Sequence, residues 1–202
     1  DITKRLGSLI EKNTRIKVIY TREEDVFIPL KRRTQMANEK KGKLFISIHA
    51  NANPNKKVRG FETYLLRPGK TEDAIAVASR ENSVINLEEN KTNFYDKLEG
   101  TNLIMATMAQ SMYMKESEDL ADKIQKEIAK KVSSKNRGVK QAGFYVLVGA
   151  SMPNVLVEVG FLSNRHEEKL LRKKSYRQNI AEGIFQAILQ FKQSKEEMLA
   201  KG

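Results

Sequence analysis

A chain of 202 residues, 40% hydrophobic and 31% charged, is long enough for one domain with its own core. It has no cysteine and only two histidines, His49 and His166, which excludes a disulfide framework, a thiolate nucleophile and a cysteine-based zinc site. The net charge of +12 favours anionic partners. The short basic runs at 31–33, 56–57 and 172–174 are nevertheless scattered among acidic and apolar residues, the pattern of a solvated surface rather than of a nucleic-acid-binding face.

Ile2, Leu6, Leu9 and Ile10 recur at helical spacing, so the spacing predicts a helix already running at residue 1. The chain opens on Asp1 within that pattern, shows no secretory signal, and reads as a fragment or a processed form. Residues 16–20 are rich in β-branched side chains and predict a strand. Pro29 opens a second helix carrying Leu30, Arg33, Met36 and Ala37. Residues 44–48 are almost continuously apolar and end at His49, as a buried parallel strand does. Residues 60–66 predict another strand. The alternation of helix and strand points to the α/β class.

Residues 68–114 break this rhythm and read as an insertion into a single domain spanning 1–202. Within it, 74–87 predicts a helix, 88–100 is polar and irregular, and 103–114 predicts an apolar, Met-rich helix. Met105, Met108 and Met112 are expected to fill the core. Ser117 is the expected cap of the next helix, with Glu118 and Asp119 in its first turn and Leu120, Ile124, Ile128 and Val132 on one face. Residues 144–148 and 155–159 predict strands. Asn164 with Glu167 fits a capping box. Ile180, Ile184, Ile188 and Phe191 form the stripe of a last long helix, and the charged tail from residue 194 is expected to fray. No apolar run approaches the roughly 18 residues of a membrane span.

Two segments can carry chemistry. In 47–53 (SIHANAN) a histidine stands where an apolar strand runs out, and in 154–161 (NVLVEVGF) a lone glutamate stands near the end of another. Ligands of open α/β sheets bind outside the carboxyl ends of strands. If these two strands are parallel neighbours, His49 and Glu158 face one cleft. A carboxylate in so apolar a run is costly to bury unless paired, hydrogen-bonded or near a metal. Burial raises its pKa, which suits a general base near neutral pH. Read locally, Glu158 is equally a structural carboxylate paired with Lys or Arg, and His49 a strand-end histidine of the core. His166 lies in a polar, charged helix start and reads as a surface residue. No Gly-x-Ser-x-Gly elbow or Gly-rich phosphate loop is present.

Residues 47–51 (SIHAN) and 157–164 (VEVGFLSN) resemble two signatures of the zinc-dependent N-acetylmuramoyl-L-alanine amidases. Thr21-Arg22 followed by Asp25, the run 60–64 (GFETY), Arg137-Gly138-Val139 and Met152-Pro153 match in family order. The resemblance implies a single twisted, mostly parallel sheet flanked by helices, phosphorylase/hydrolase-like, with the family's first strand missing from the chain. It implies Zn2+ as cofactor, His49 as a metal ligand and Glu158 as the catalytic glutamate. The implied reaction cleaves the amide between N-acetylmuramic acid and L-alanine of peptidoglycan, with zinc polarising the carbonyl and the glutamate moving the proton. The family's first zinc-binding histidine, in a Gly-His-Gly segment, and a following glutamate have no counterpart here.

In some relatives a segment at the place of 68–114 covers the zinc until a partner withdraws it. By that resemblance Glu81 and Glu88 are candidate autoinhibitory carboxylates, and an activator protein is the expected partner. The substrate implies export to the periplasm or cell wall. The alternative is a catalytically inactive peptidoglycan-binding or regulatory module; a nucleic-acid-binding domain lacks a recognition motif.

Overall fold

Side-chain alternation along four strands sorts the core onto two faces of one sheet. The computed structural model describes residues 1–88, 95, 98 and 101–200. The strands are β1 (Phe45–Asn51), β2 (Phe61–Leu66), β3 (Asn136–Ala142) and β4 (Asn154–Phe161), in the order β1-β4-β2-β3. β1 runs parallel to β4 and β2 parallel to β3, while β2 and β4 are antiparallel. The sheet is therefore mixed, with two of its three pairings parallel.

The helices of the described residues are α1 (Ile2–Asn13), α2 (Leu30–Glu39), α3 (Glu72–Asn82), α4 (Thr101–Ala109), α5 (Met114–Lys131), α6 (Arg165–Arg172) and α7 (Lys174–Leu199). Val155, Val157 and Val159 of β4 pack with α1, α5, α6 and α7, around Ile2, Leu6, Leu120, Ile124, Leu171, Ile180 and Ile184. Leu156 faces the opposite way, into a second core with Leu30 of α2, Ala74, Val77 and Ala78 of α3, Tyr64 and Phe144. The period of two therefore also places Glu158, two residues from Leu156, on the α2/α3 face. Ile46 and Ile48 pack against the first core and Phe45 lies in the second, which sends His49 to the same face.

The stripe predicted for the last helix holds: Ile180, Ile184, Ile188 and Phe191 are all buried. At Gly183 a Cβ would lie 2.8 Å from the Ile128 Cα, so α5 and α7 meet backbone to backbone there. Asn164 caps α6, accepting from the backbone N–H groups of His166 and Glu167. His166 is exposed, as its polar setting predicts. Glu167 does not complete the capping box. It is 1% exposed, and its carboxylate accepts the backbone N–H groups of Gly60 (2.7 Å) and Phe161 (2.8 Å), tying the start of β2 to the end of β4. Gly60 is required there, at φ +115 and with a Cβ position only 2.2 Å from the Lys135 carbonyl. Glu167→Ala strands two buried donors and is expected to cost about 2–4 kcal/mol, read as a lower urea midpoint at unchanged m-value.

Several expectations from the sequence are corrected. Residues 16–20 form no strand. Ile16 and Val18 pack against the first core, but no described strand lies beside them to form a ladder. Residues 144–148 fold instead as a 3-10 turn at Tyr145–Leu147, within which Leu147 donates to the Phe144 carbonyl and Val148 to the Tyr145 carbonyl. Their apolar side chains fill the second core rather than a sheet face. The edge position beside β2 belongs to β3, whose polar sequence, NRGVKQA, follows from one-sided pairing and exposure.

Ser117 lies inside α5, not at its cap; its hydroxyl donates to the Tyr113 carbonyl one turn back and accepts the Asn154 N–H. The helix predicted for 74–87 ends at Asn82 and tightens into a 3-10 turn at Ser83–Leu87. Of the irregular stretch predicted at 88–100, all but Glu88, Tyr95 and Leu98 lies outside the described residues. Met105, Met108 and Met112 are 63%, 67% and 73% exposed, the reverse of core filling. The tail stays helical to Leu199, with Lys192–Glu196 and Gln193–Glu197 contacts one turn apart; residues 201–202 lie outside the described residues.

Candidate active site

Parallel pairing of β1 with β4 sets His49 directly opposite Glu158. The condition left open by the sequence is met: the two strands are neighbours, they are parallel, and both side chains sit on the α2/α3 face toward the strands' carboxyl ends. Glu158 is fully buried. Among the described residues neither of its oxygens has a hydrogen-bond partner. Burial pushes its carboxyl well above the usual carboxylate range; the nearby charges of Glu81 and Glu62 push the same way, and Arg80 opposes them.

The third member comes from α3. Thr71 caps this helix by accepting the Ala74 N–H, with Glu72 and Asp73 in the first turn. Its apolar residues Ala74, Val77 and Ala78 bury against the second core, which carries its last turn over the cleft. There Glu81 Oε2 lies 2.5 Å from His49 Nδ1. One ligand atom each of His49, Glu81 and Glu158 lies within 4.8 Å of the others. One imidazole nitrogen and two carboxylates are donors that suit a divalent metal such as zinc. Two buried carboxylate oxygens with no hydrogen-bond donor among the described residues are what a carboxyl facing a cation or a water presents. The residues present fit such an ion.

Glu88 is not brought to this group. Its Oε1 accepts the Leu30 N–H at the start of α2 (3.2 Å) and the Tyr95 hydroxyl (2.9 Å), so it serves the N-terminus of α2.

A second buried carboxylate adjoins the site. Glu62 of β2 lies opposite Glu158 in the antiparallel register and is 1% exposed. Its Oε1 accepts Asn51 Nδ2 (3.0 Å) and the Tyr64 hydroxyl (2.7 Å); its Oε2 accepts Arg137 Nε (2.7 Å) and Lys140 Nζ (2.5 Å). Arg137 also stands over the Phe161 ring, 5.3 Å from its centroid. Burial alone would raise the Glu62 pKa, but the hydrogen bonds from Lys140, Arg137 and Tyr64 outweigh it and hold the carboxyl below its ordinary range. Glu62 and Glu158 thus sit side by side with opposite tendencies, one kept ionised and one pushed toward its neutral form.

The family profile of the N-acetylmuramoyl-L-alanine amidases matches residues 1–190. The chain belongs to this family. Among curated relatives, the amidase AmiC of Escherichia coli O6:H1 is 33% identical over 188 residues, 93% of this chain and 45% of that protein. AmiA of Escherichia coli K12 is 32% identical over 192 residues, 94% of this chain and 65% of that protein. The chain thus spans about half to two thirds of the length of these relatives. Among solved structures, the N-acetylmuramoyl-L-alanine amidase from Clostridium difficile 630 superposes with a TM-score of 0.69 at 28% identity, covering 96% of this chain and 81% of that one. The α/β fold expected from the sequence is that of these amidase catalytic domains.

Within this amidase domain the sequence singled out His49, Glu158 and Glu81, which the fold assembles. Glu62 and Asn51 stood within the matching segments without a role, and Arg80 and Asn82 were not singled out. Glu62 carried the same signal as Glu158, a lone carboxylate in an apolar strand, and could have been found by it. Glu62→Ala would leave Arg137 and Lys140 facing a buried gap, at an expected cost of about 3 kcal/mol. Because the folded-state pKa of Glu62 is depressed, its stabilisation is present above the ordinary carboxylate pKa and is lost as pH falls through the folded value. Urea titrations over a falling pH series should therefore show the widest gap between wild type and variant at pH 7 and a narrowing gap as Glu62 protonates.

Proposed function

We propose that this domain hydrolyses the amide between the lactyl group of N-acetylmuramic acid and L-alanine in peptidoglycan, with a zinc ion held at His49. The observation that carries this reading is the in-register pair His49–Glu158 at the ends of parallel strands, with both Glu158 oxygens buried and unpartnered. Family membership and the matching amidase relatives support the substrate class. A bound zinc supplies Lewis acidity at the amide carbonyl and a water acidified for attack. Glu158, its proton affinity raised by burial, takes the proton from the attacking water and delivers it to the leaving nitrogen as the C–N bond breaks. The products are a lactyl carboxylate and a stem peptide with a free L-alanine amine. Such a substrate places the working protein in the periplasm or the cell wall. No helix of the described residues is long and apolar enough to cross a membrane.

The last turn of α3 makes this a held-down site. Glu81 occupies the His49 nitrogen at 2.5 Å, so the end of α3 acts as a lid on the cleft. The exposed methionines of α4 and Met112 are an adaptable surface on segment 68–114 for an activator protein. Glu81→Gln should raise basal peptide release by roughly tenfold, since a hydrogen bond to a charged partner is worth about 1.5–3 kcal/mol. Unchanged release would remove Glu81 from the inhibitory role.

The second reading is a peptidoglycan-binding module without turnover. The donor count favours it: with Glu81 withdrawn, the cluster keeps one histidine and one glutamate, against the three protein ligands usual at catalytic zinc. Purified peptidoglycan with added zinc separates the two readings. Stem peptides bearing a free L-alanine amine, identified by mass spectrometry, establish the amidase. Sedimentation with the polymer and no peptide release, from wild type and Glu81→Gln alike, establishes the binding module.

A further inference from the structure

Three consecutive residues end α3, and each grips a different part of the domain. Glu81 meets His49 and belongs to the inhibitory reading above. Arg80 and Asn82 do not bond to His49 or Glu158. Arg80 Nη1 donates to the Ala52 carbonyl (2.5 Å) and to Asn51 Oδ1 (3.3 Å). Asn82 Nδ2 donates to the Gly143 carbonyl (2.8 Å), and its Oδ1 accepts the Tyr145 N–H (2.9 Å).

The seat that Arg80 occupies is built in advance. Asn51 is 1% exposed, and its amide has one permitted orientation. Glu62 is ionised and can only accept, so the Asn51 NH2 group must face it, which turns Oδ1 toward Arg80. The Ala52 N–H donates to that same Oδ1 at 2.7 Å. Glu62 is itself fixed by Arg137, Lys140 and Tyr64. The acceptor pair Asn51 Oδ1 and Ala52 O is therefore fixed at the carboxyl end of β1, and Arg80 Nη1 donates to both.

We propose that Arg80 is the latch of the lid: its guanidinium, seated on Asn51 and Ala52, holds the end of α3 over the cleft independently of the His49–Glu81 contact. The proposal rests on the lid reading only for its consequence, since the latch itself is a contact between helix and sheet. It predicts that α3 stays seated on the sheet without metal and without the Glu81 carboxylate, whose loss uncovers the His49 nitrogen without releasing the helix, and that a partner withdrawing α3 must break the Arg80 contact.

The test is amide hydrogen exchange over Glu72–Asn82 in the full chain with metal chelated, comparing wild type, Arg80→Ala, Arg80→Lys and Glu81→Gln. Circular dichroism first confirms that each variant is folded. Arg80→Ala is expected to speed exchange in this helix about tenfold, Arg80→Lys to restore part of the protection, and Glu81→Gln to speed it less than Arg80→Ala. Protection in Arg80→Ala within twofold of wild type overturns the latch. The same variants assayed for peptide release keep the two ideas apart. Faster exchange in Arg80→Ala with no gain in release leaves the latch standing and removes the inhibitory lid. A gain in release from Glu81→Gln with α3 still protected in Arg80→Ala does the reverse.

Discussion

Glu158→Gln is expected to lower stem-peptide release by roughly 10²–10⁴-fold, the usual contribution of a positioned proton carrier, while zinc affinity stays within a few-fold of wild type. Glutamine preserves the volume in a position with no exposure but cannot take the proton of the attacking water. Loss of zinc in the variant would make Glu158 a ligand instead. Stability gives an independent readout. The pKa of Glu158 is raised by burial first and by Glu81 and Glu62 second. A group raised in the folded state adds no penalty below its unfolded pKa, and it erodes stability as pH rises from there through the folded value. In metal-free protein the glutamine variant should therefore melt with wild type near pH 4 and above it at neutral pH. A gap of at least about 2 °C is expected, the shift that 1 kcal/mol gives a domain of this size. Equal melting at pH 7 would mean that Glu158 has a partner in solution and is not the poised base.

His49→Ala is expected to weaken zinc binding by more than about 100-fold, beyond the 10- to 100-fold that loss of an outer-shell partner costs, as measured by calorimetric titration. His49 is the only histidine of the cluster. Zinc affinity equal to wild type would remove it from the metal site. The variant also takes from Glu81 its 2.5 Å partner. A loosened α3 together with absent peptide release would show that lid contact and metal affinity are separate duties of one side chain.

The sites of these two substitutions were visible in the sequence to different degrees. His49 at the end of 44–48 and Glu158 within 155–159 stood out because a polar side chain interrupts an apolar strand, and such an interruption needs a local reason. Their adjacency was only conditional, since nothing in either segment states which strand pairs with which. Glu88 illustrates the opposite case. Its residue type suited a carboxylate plug, yet its oxygen caps α2 through Leu30, 58 positions away in the chain. Residues 16–20 had the composition of a strand, but a strand is defined by a ladder, and no described neighbour supplies one. The polar β3 lacked that composition and is a strand because β2 offers an edge to pair with.

The sequence by itself determined the α/β class, the apolar stripes of α5 and α7, the Asn164 cap and the two strand-end residues on which the proposed chemistry rests. These follow from periodicity and from single-residue chemistry, which act over a few positions. Only the tertiary structure decided the register that sets His49 beside Glu158, the arrival of Glu81 and Arg80 over the cleft, the exposure of Met105, Met108 and Met112, and the Glu62 network with Arg137 and Lys140. Each is a contact between segments distant in the chain. It depends on which backbone and side-chain partners the closed sheet and its packed helices leave within reach.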